Sequence, residues 1–210
     1  MNHTIICIGR QYGSGGREIG EKLAERLGIA CYDKLLITQA ARESGLTVET
    51  VEADDEKPIG LGTMVSGNAF ADSITLGATF YSEEERVFEA EQKVILEIAA
   101  KGPCVIIGRC APALLREKGY DVLSVFVYAE NEDRVQRIAR RNGIGTREAA
   151  HKAEKVDRLR KKYFDFYSDT PWGEPASYDM MISSSYYGID GAAAVLAAAV
   201  AERNAEGKTK

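Results

Sequence analysis

The feature that most constrains the fold of this chain is its alternation of short apolar segments with segments of helical periodicity. Apolar runs of strand length occupy residues 4–8, 29–32, 103–108, 122–128 and 178–183. Between them, apolar residues recur three and four positions apart, which is typical of helices with one buried face. Strands that are apolar along their whole length are buried on both sides. The pattern therefore predicts an α/β domain with a parallel five-stranded sheet flanked by helices.

The composition is that of an ordinary globular domain. The 210 residues are 45% apolar and 28% charged, which suits one folded domain spanning 1–210 rather than a disordered chain. The net charge of −5 argues against a general nucleic-acid binder, which needs a basic surface. No apolar run reaches the ~20 residues of a membrane span, and the N-terminus lacks a signal-peptide pattern.

The cysteines favour a reducing compartment. Cys7, Cys31, Cys104 and Cys110 form no C-x-x-C pair, so we expect buried, reduced thiols and no metal site. The expected location is the cytoplasm, with no membrane partner.

Several helix boundaries are visible in the sequence. Gly28 is expected to end the first helix, and a second helix is expected at about 34–43. Ser82 opens a capping-box pattern, and Asp190 is expected to cap an alanine-rich C-terminal helix. The glycine-rich stretch 54–80 has little periodicity and is too long for a plain loop, so a functional flap is expected there.

A glycine-rich loop joins the first strand to the first helix over residues 9–17. Glycines let successive backbone amides converge on an anion, and the helix N-terminus adds its positive end. The loop departs from the Walker pattern G-x-x-x-x-G-K-[ST], because it contains no lysine. In one register Gly16 occupies the lysine position. In the favoured register Arg17 supplies the charge and Glu18 stands where the magnesium-binding hydroxyl would be.

Two other interpretations of the loop stay open. It could be a tight turn that only packs strand against helix. It could also belong to a dinucleotide site, although the stretch from Gly13 to Glu18 lacks the third glycine of G-x-G-x-x-G. In that case Asp33, at the end of the second strand, would suit a ribose contact.

Five short stretches resemble the cytidylate kinase-like family, which is related to the bacterial cytidylate kinases. These are Gly13 to Gly20, Tyr32-Asp33, Ile107 to Ala111, Trp172-Gly173 and Tyr178-Asp179. True cytidylate kinases carry G-S-G-K-[SG]-T in the loop and G-R-D after the third strand. This chain has glycine, arginine and glutamate at 16–18, and Cys110 in place of that aspartate.

The resemblance implies a P-loop kinase fold, ATP and Mg²⁺ as cofactors, and a nucleoside monophosphate as acceptor. The ATP phosphates would lie on the loop, on Gly13, Ser14, Gly15, Gly16, Arg17 and Glu18. The acceptor would lie near Asp33 and Arg109. The arginine fork fits a phosphate, although Arg109 could instead serve an ion pair, and Asp33 could simply cap the next helix.

A basic segment follows the fourth strand. Residues 134–162 contain 11 basic and three acidic side chains in a chain that is acidic overall. A solvated helical face accounts for some of these, and a nucleic-acid patch is a rival interpretation. We expect an arginine lid at about 142–170 that closes over a polyphosphate. Arg158 and Arg160 resemble lid arginines, and Arg137 and Arg141 are the further candidates.

The sequence thus predicts ATP-dependent phosphoryl transfer to a small phosphorylated acceptor, with CMP or dCMP favoured. Three alternatives stay open. They are a nucleotide-binding protein without catalytic activity, a kinase of another small metabolite, and a nicotinamide-dependent enzyme.

Overall fold

The computed structural model of the protein describes residues 4–43 and 83–205. The strands in these ranges are β1 (Ile5–Arg10), β2 (Ala30–Tyr32), β3 (Cys104–Ile107), β4 (Val122–Tyr128) and β5 (Met180–Ser183). The helices are α1 (Gly16–Leu27), α2 (Lys34–Glu43), α3 (Glu83–Lys101), α4 (Ala111–Glu117), α5 (Asn131–Asn142), α6 (Thr146–Tyr167) and α7 (Ser184–Ala205), with a 3-10 turn at Pro175–Ser177. Among these helices, none combines the length and the apolar character that crossing a membrane requires.

The five strands form one parallel sheet in the order β2-β3-β1-β4-β5. The central strand β1 pairs Cys7 with Ile106 of β3 and Ile8 with Val125 of β4. The predicted five-stranded parallel sheet is confirmed. Because all carboxyl ends meet at one edge, the loops that follow β1, β2 and β3 open side by side there, which is where open α/β sheets bind ligands.

Helices cover both faces of the sheet, and this explains the uninterrupted apolar strands. Along β1, Ile6 and Ile8 face the layer formed by α1 and α7, whereas Ile5 and Cys7 face α2, α3 and α4. All four side chains are at most 1% exposed. Complete burial of an isoleucine contributes on the order of 1.5–3 kcal/mol, so the strands anchor both layers.

The predicted end of the first helix is confirmed. Gly28 has φ 65°, a left-handed conformation that glycine adopts without a Cβ penalty. The amide of Ile29 then donates to the carbonyl of Ala24 at 3.0 Å, which closes the last turn. This sharp end turns the chain directly into β2.

The C-terminal helix is preceded by a short helical turn that the sequence did not predict. Helix α7 begins at Ser184, six residues ahead of Asp190, and Gly188 interrupts it with φ 67° and ψ 179°. The carboxylate of Asp190 accepts a hydrogen bond from Lys22 Nζ at 2.7 Å. Because the break at Gly188 separates a short first turn from the alanine-rich helix, that helix begins within two residues of Asp190, close to the predicted start.

The predicted flap at 54–80 and the capping serine Ser82 lie outside the described residues. The predicted lid at 142–170 is mostly the single helix α6, which packs on α5 through Ile138 and Ala153. Tyr12 of the glycine-rich loop packs against the same cluster. The α5–α6 pair therefore rests directly on the loop.

An aromatic cluster connects the chain after α6 to the sheet. The ring of Trp172 meets Phe126 of β4 edge to face, with ring centroids 5.2 Å apart, and Tyr178 lies 4.8 Å from the same ring. The backbone amide of Trp172 donates to Asp165 of α6 at 2.8 Å. These contacts hold Trp172 between the end of α6 and the sheet.

The cysteines are free thiols, as predicted. Cys7 and Cys104 are buried, and Cys31 and Cys110 are half-buried. Burial raises the pKa of Cys31 to about 11 and that of Cys110 to about 12, so both remain protonated at neutral pH.

Candidate functional site

The loop between β1 and α1 is shaped by two glycines in the left-handed region. Gly13 has φ 80° and Gly15 has φ 79°. A Cβ on Gly13 would lie 2.8 Å from the carbonyl oxygen of Arg134, and one on Gly15 would lie 2.3 Å from Ile189 Cδ1. The loop is therefore pressed against α5 on one side and α7 on the other, and neither position has room for a side chain.

Hydrogen bonds fix the orientation of the loop's peptide groups. Ser14 is buried, its hydroxyl donates to the carbonyl of Gln11 at 2.8 Å, and its own carbonyl accepts from Ser184 Oγ at 2.6 Å. The carbonyl of Tyr12 accepts from Arg134 Nε at 2.8 Å. Because a trans peptide points its N–H opposite to its C=O, each of these contacts directs the amide of the following glycine, Gly13 or Gly15, away from the donor that its carbonyl neighbour meets.

Helix α1 begins immediately after this loop. Gly15 is its N-cap and, among the described residues, no side chain caps it through a hydrogen bond. The first amides of a helix have no partner within the helix, and the helix dipole places positive charge there. The N-terminus of α1 therefore has a geometry that suits an anion.

Arginines from both α5 and α6 donate to the carbonyls of the loop. Arg137 Nη1 donates to Gly13 at 2.6 Å, and Arg160 Nη1 donates to Arg10 at 3.1 Å. The guanidinium groups of Arg141 and Arg160 also lie over the ring of Tyr12, at 5.1 and 5.4 Å from its centroid. Three of the four predicted lid arginines therefore meet at the loop.

The fourth predicted arginine is placed differently. Arg158 lies two residues before Arg160 on α6 and is exposed. Positions two apart on a helix face different directions, so the two side chains cannot both turn toward the loop.

Sequence reasoning missed the pair that braces the loop. Arg134 is 8% exposed and forms a salt bridge with Asp157 of α6, whose other oxygen accepts from the amide of Tyr12 at 2.7 Å. Arg134 lies three positions before Arg137, which places both on one face of α5. That spacing is the signal that could have identified Arg134.

Arg17, the predicted replacement for the Walker lysine, is occupied elsewhere in the structure. Its Nε bonds to Glu21 at 2.9 Å and its Nη2 lies 3.0 Å from Asp33 Oδ2, and the side chain is 58% exposed. Glu18, in the first turn of α1, is also exposed. The first helical residue is Gly16, one position earlier.

Asp33 has two structural roles. Its Oδ1 accepts from the amide of Leu36 at 3.1 Å and thus caps α2, while its Oδ2 faces Arg17. The residue is 7% exposed and lies at the carboxyl end of β2, one strand away from β3. It joins the first turn of α1 to the start of α2.

The end of β3 has an unusual backbone. Gly108, Arg109 and Cys110 have φ values of 88°, 66° and 49°. Left-handed conformations cost a residue with a side chain roughly 1–3 kcal/mol each, and they persist only where the surroundings impose them. This turn directs the Arg109 side chain back between the helices that cover the sheet.

Arg109 is held by a buried carboxylate. Its Nη1 contacts both oxygens of Glu91, at 2.8 and 3.1 Å, and Glu91 is 2% exposed. Thr38 donates to the same carboxylate at 2.6 Å, and the ring of Tyr163 lies under the guanidinium. Burial alone would lower the pKa of Arg109, but Glu91 and Tyr163 raise it above its usual value, so the group stays charged.

A cavity of about 570 Å³ adjoins this cluster, between α3, α4 and the end of α6. Its walls include Phe88, Leu96, Arg109, Leu114 and Tyr167. Sites for small ligands fall in the range of about 300–1,000 Å³ and are mostly apolar with a few polar groups. The cavity therefore has the size of a small-ligand site, but its wall is more polar than is usual and carries both cations and carboxylates, namely Lys93, Arg109, Lys118, Glu89, Glu117 and Asp169.

The sheet order and the glycine-rich loop after the central strand define a P-loop kinase fold, and solved structures share it. A protein of unknown role from Eubacterium ventriosum matches with a TM-score of 0.72 at 24% identity, over 95% of this chain and 99% of that one. The APS kinase of Mycobacterium tuberculosis, solved with AMPPNP and APS, gives 0.51 at 15% identity over 96% and 99%. The shikimate kinase of Bacteroides thetaiotaomicron gives 0.53 at 12% identity over 95% and 99%.

The chain belongs to the cytidylate kinase-like family, whose model matches residues 5–186. The cytidylate kinase of Pyrococcus furiosus is 28% identical over 198 residues, covering 93% of this chain and 88% of the relative. That of Pyrococcus horikoshii is 26% identical with the same coverage. The family resemblance predicted from the sequence is confirmed.

Proposed function

We propose that the protein transfers the γ-phosphoryl group of ATP to a small phosphorylated acceptor, a nucleoside monophosphate, with CMP and dCMP as the first candidates. One observation carries this proposal. In the glycine-rich loop at the N-terminus of α1, the carbonyls of Tyr12 and Gly13 accept from arginines and that of Ser14 accepts from Ser184, so the Gly13 and Gly15 amides point away from these donors. Backbone amides at a helix N-terminus suit a phosphate, and the arginines bonded to the loop add positive potential nearby.

The two halves of the reaction would meet at the carboxyl edge of the sheet. The donor phosphates would lie on the loop after β1, and the acceptor would lie beside β3, near Arg109 and Asp33. Arg109 would bind the acceptor phosphate through its guanidinium fork, sharing or exchanging its contact with Glu91. The adjoining cavity would receive the rest of the acceptor.

The chemistry asks the protein mainly for position and charge. An oxygen of the acceptor phosphate forms a bond to the γ-phosphorus as the bond to the β–γ bridging oxygen breaks, and ADP leaves with that electron pair. Arg137 and Arg160, already fixed on the loop, would stabilise the charge that spreads over the transferring group.

Magnesium would arrive with the nucleotide. In the part of the chain that the structure describes, no group of three metal-ligating side chains occurs. This fits Mg²⁺ bound mostly by phosphate oxygens and water with one or two carboxylates, for which Asp33 is the candidate. When bound, the ion neutralises phosphate charge.

The test measures ADP release from ATP and Mg²⁺ with a panel of nucleoside monophosphates and phosphorylated metabolites. Arg137→Ala and Arg109→Ala are compared with Arg26→Ala, which removes an exposed arginine at the far end of α1. We expect turnover with CMP or dCMP, lowered at least tenfold by the first two changes and unchanged by the control. Arg109→Ala should raise the KM for the acceptor more than that for ATP.

A second candidate is a nucleotide-binding protein without transferase activity, which the missing loop lysine favours. ATP binding without release of ADP for any acceptor would support it and contradict our proposal. Turnover only with a phosphorylated metabolite outside the nucleotides would keep the kinase and replace the acceptor. Tight NADH binding without ATP binding would favour a nicotinamide-dependent enzyme.

A further inference from the structure

The first residue of α1 has no side chain, and a side chain from another position fills the space. A Cβ built on Gly16 would lie 2.7 Å from Arg10 Cβ and 3.2 Å from Arg10 Cγ. In the Walker pattern, the residue after the last loop glycine is the lysine that reaches the β- and γ-phosphates. Counting from Gly15, the N-cap of α1, that position is Gly16. The stem of Arg10 therefore passes over the place where that lysine would begin.

The guanidinium of Arg10 lies against a second glycine. Its Nη1 is 2.5 Å from where a Cβ on Gly108 would be, and its Cζ is 3.6 Å away. Gly108 follows β3, its φ is 88°, and its amide donates to Ile8 of β1 at 3.0 Å. The Arg10 side chain thus runs along the carboxyl edge of the sheet from the start of α1 to the residue before Arg109.

A Cβ at either end of this path would disturb the Arg10 side chain. A side chain at Gly16 would collide with the Arg10 stem, and one at Gly108 would collide with its guanidinium. The backbone of Arg10 is fixed as well, because its carbonyl accepts from Arg160. A lysine at 16 and the Arg10 stem as it lies here would therefore compete for the same space.

We infer that Arg10 supplies the positive charge that the lysine supplies in a Walker loop, and that its guanidinium contacts the donor's β- and γ-phosphates where the donor and acceptor meet. This inference rests on the proposed function and replaces the earlier assignment of that charge to Arg17. As the acceptor oxygen bonds to the γ-phosphorus, negative charge grows on the β–γ bridging oxygen that leaves with ADP. A planar fork with two donors stabilises that oxygen and a γ-oxygen together.

Arg10→Met tests the inference, because methionine keeps the stem beside Gly16 and removes only the guanidinium. Arg26→Met is the matched control on the exposed end of α1. Thermal unfolding of each variant establishes that the fold is retained. We expect Arg10→Met to lower kcat by on the order of 10²–10³-fold with little change in the acceptor KM, as for removal of one transition-state donor. If the activity of Arg10→Met is within threefold of that of Arg26→Met, the inference is overturned, while the proposed kinase function stands.

Nucleotide binding separates failure of the inference from failure of the proposed function. If the wild-type protein releases no ADP with any acceptor but binds ATP in a calorimetric titration, the proposed transferase activity fails. Arg10 is then judged by affinity alone. At least tenfold weaker binding of ATP by Arg10→Met than by Arg26→Met supports a phosphate contact, and equal affinity overturns it. A wild-type protein that does not bind ATP overturns both.

An exchange of positions gives a second, stricter test. Arg10→Gly removes the 2.7 Å clash with a Cβ at position 16, so in the double variant Arg10→Gly/Gly16→Lys the lysine has only the 3.2 Å approach to Val127 Cβ to accommodate. We expect the double variant to be at least tenfold more active than Arg10→Gly alone. No recovery in a folded double variant contradicts the equivalence of the two positions.

Discussion

Replacing Glu91 with glutamine removes one negative charge from a buried pair without changing the volume of the side chain. Glu91 Oε2 lies 2.8 Å from Arg109 Nη1, and the two side chains are 3% and 13% exposed. At that distance the attraction is about 6 kcal/mol in a medium of effective dielectric constant ~20. Loss of one partner leaves the other charge buried and uncompensated, which costs about 3–5 kcal/mol. We expect the lower end, about 3 kcal/mol, because the amide oxygen still accepts from Arg109 or Thr38.

Urea unfolding measures this change as a shift in midpoint. With a slope of about 2–3 kcal/mol per molar, a loss of about 3 kcal/mol lowers the midpoint by about 1–1.5 M. Glu97→Gln, at an exposed position of the same helix, is the matched control and should change the midpoint little. The double variant Glu91→Gln/Arg109→Met should recover much of the loss, because it removes the stranded charge. If Glu91→Gln has the same urea midpoint as the control, the claim that each buried charge depends on its partner is refuted.

Three further predictions follow from other contacts. Gly16→Ala should destabilise the fold by about 1–3 kcal/mol through the 2.7 Å contact with Arg10 Cβ. In a double-mutant cycle, Arg10→Gly should reduce that penalty. Equal penalties for Gly16→Ala in the wild type and in Arg10→Gly would contradict the packing argument. With a pKa of about 11, Cys31 should be only about 0.1% thiolate at pH 8. It should therefore react with iodoacetamide about a hundredfold more slowly than an ordinary thiol, which mass spectrometry can follow. A reaction rate equal to that of Cys31 in the denaturant-unfolded chain would refute this. Burial pushes the pKa of Asp121 upward, but hydrogen bonds from Arg203 and a threonine hydroxyl lower it overall, so its contribution to stability is fully present above about pH 4 and is lost as the pH falls through the lowered value. Unfolding free energies between pH 2 and 6 should therefore fall less steeply for Arg203→Met than for the wild type, and parallel profiles would argue against the linkage.

The sheet could be predicted because its determinants are local. Continuous apolar runs such as 122–128 are readable from the chain, and helices α1 and α2 were located to within a residue or two at each end. The loop after β1 could be singled out because glycines between a strand and a helix let backbone amides converge on an anion, although a tight turn and a dinucleotide site remained alternatives. Arg137 and Arg141 of α5 could be singled out because they lie in a dense positive segment of an acidic chain.

The side-chain contacts of the site could not be predicted from the sequence in the same way. Arg10 looks like the polar end of a strand, and only the three-dimensional approach of Gly16 and Gly108 reveals where its side chain runs. Glu91 interrupts the buried stripe of α3 formed by Ala90, Val94 and Ile95, a position at which a charge signals a partner. That signal was available in the sequence, but its partner, Arg109, is 18 residues away and is set by a left-handed turn that no local pattern predicts.

The position of Trp172 provides an optical readout of the molecule. The chain contains one tryptophan, so all of its tryptophan fluorescence comes from a single position. The indole is in contact with Phe126 of the sheet, while its backbone is tied to α6 through Asp165. A displacement of α6 relative to β4 would alter the solvent around that chromophore and shift its emission maximum. If nucleotide binding displaces α6, a titration would show it in the intrinsic fluorescence, without an attached dye.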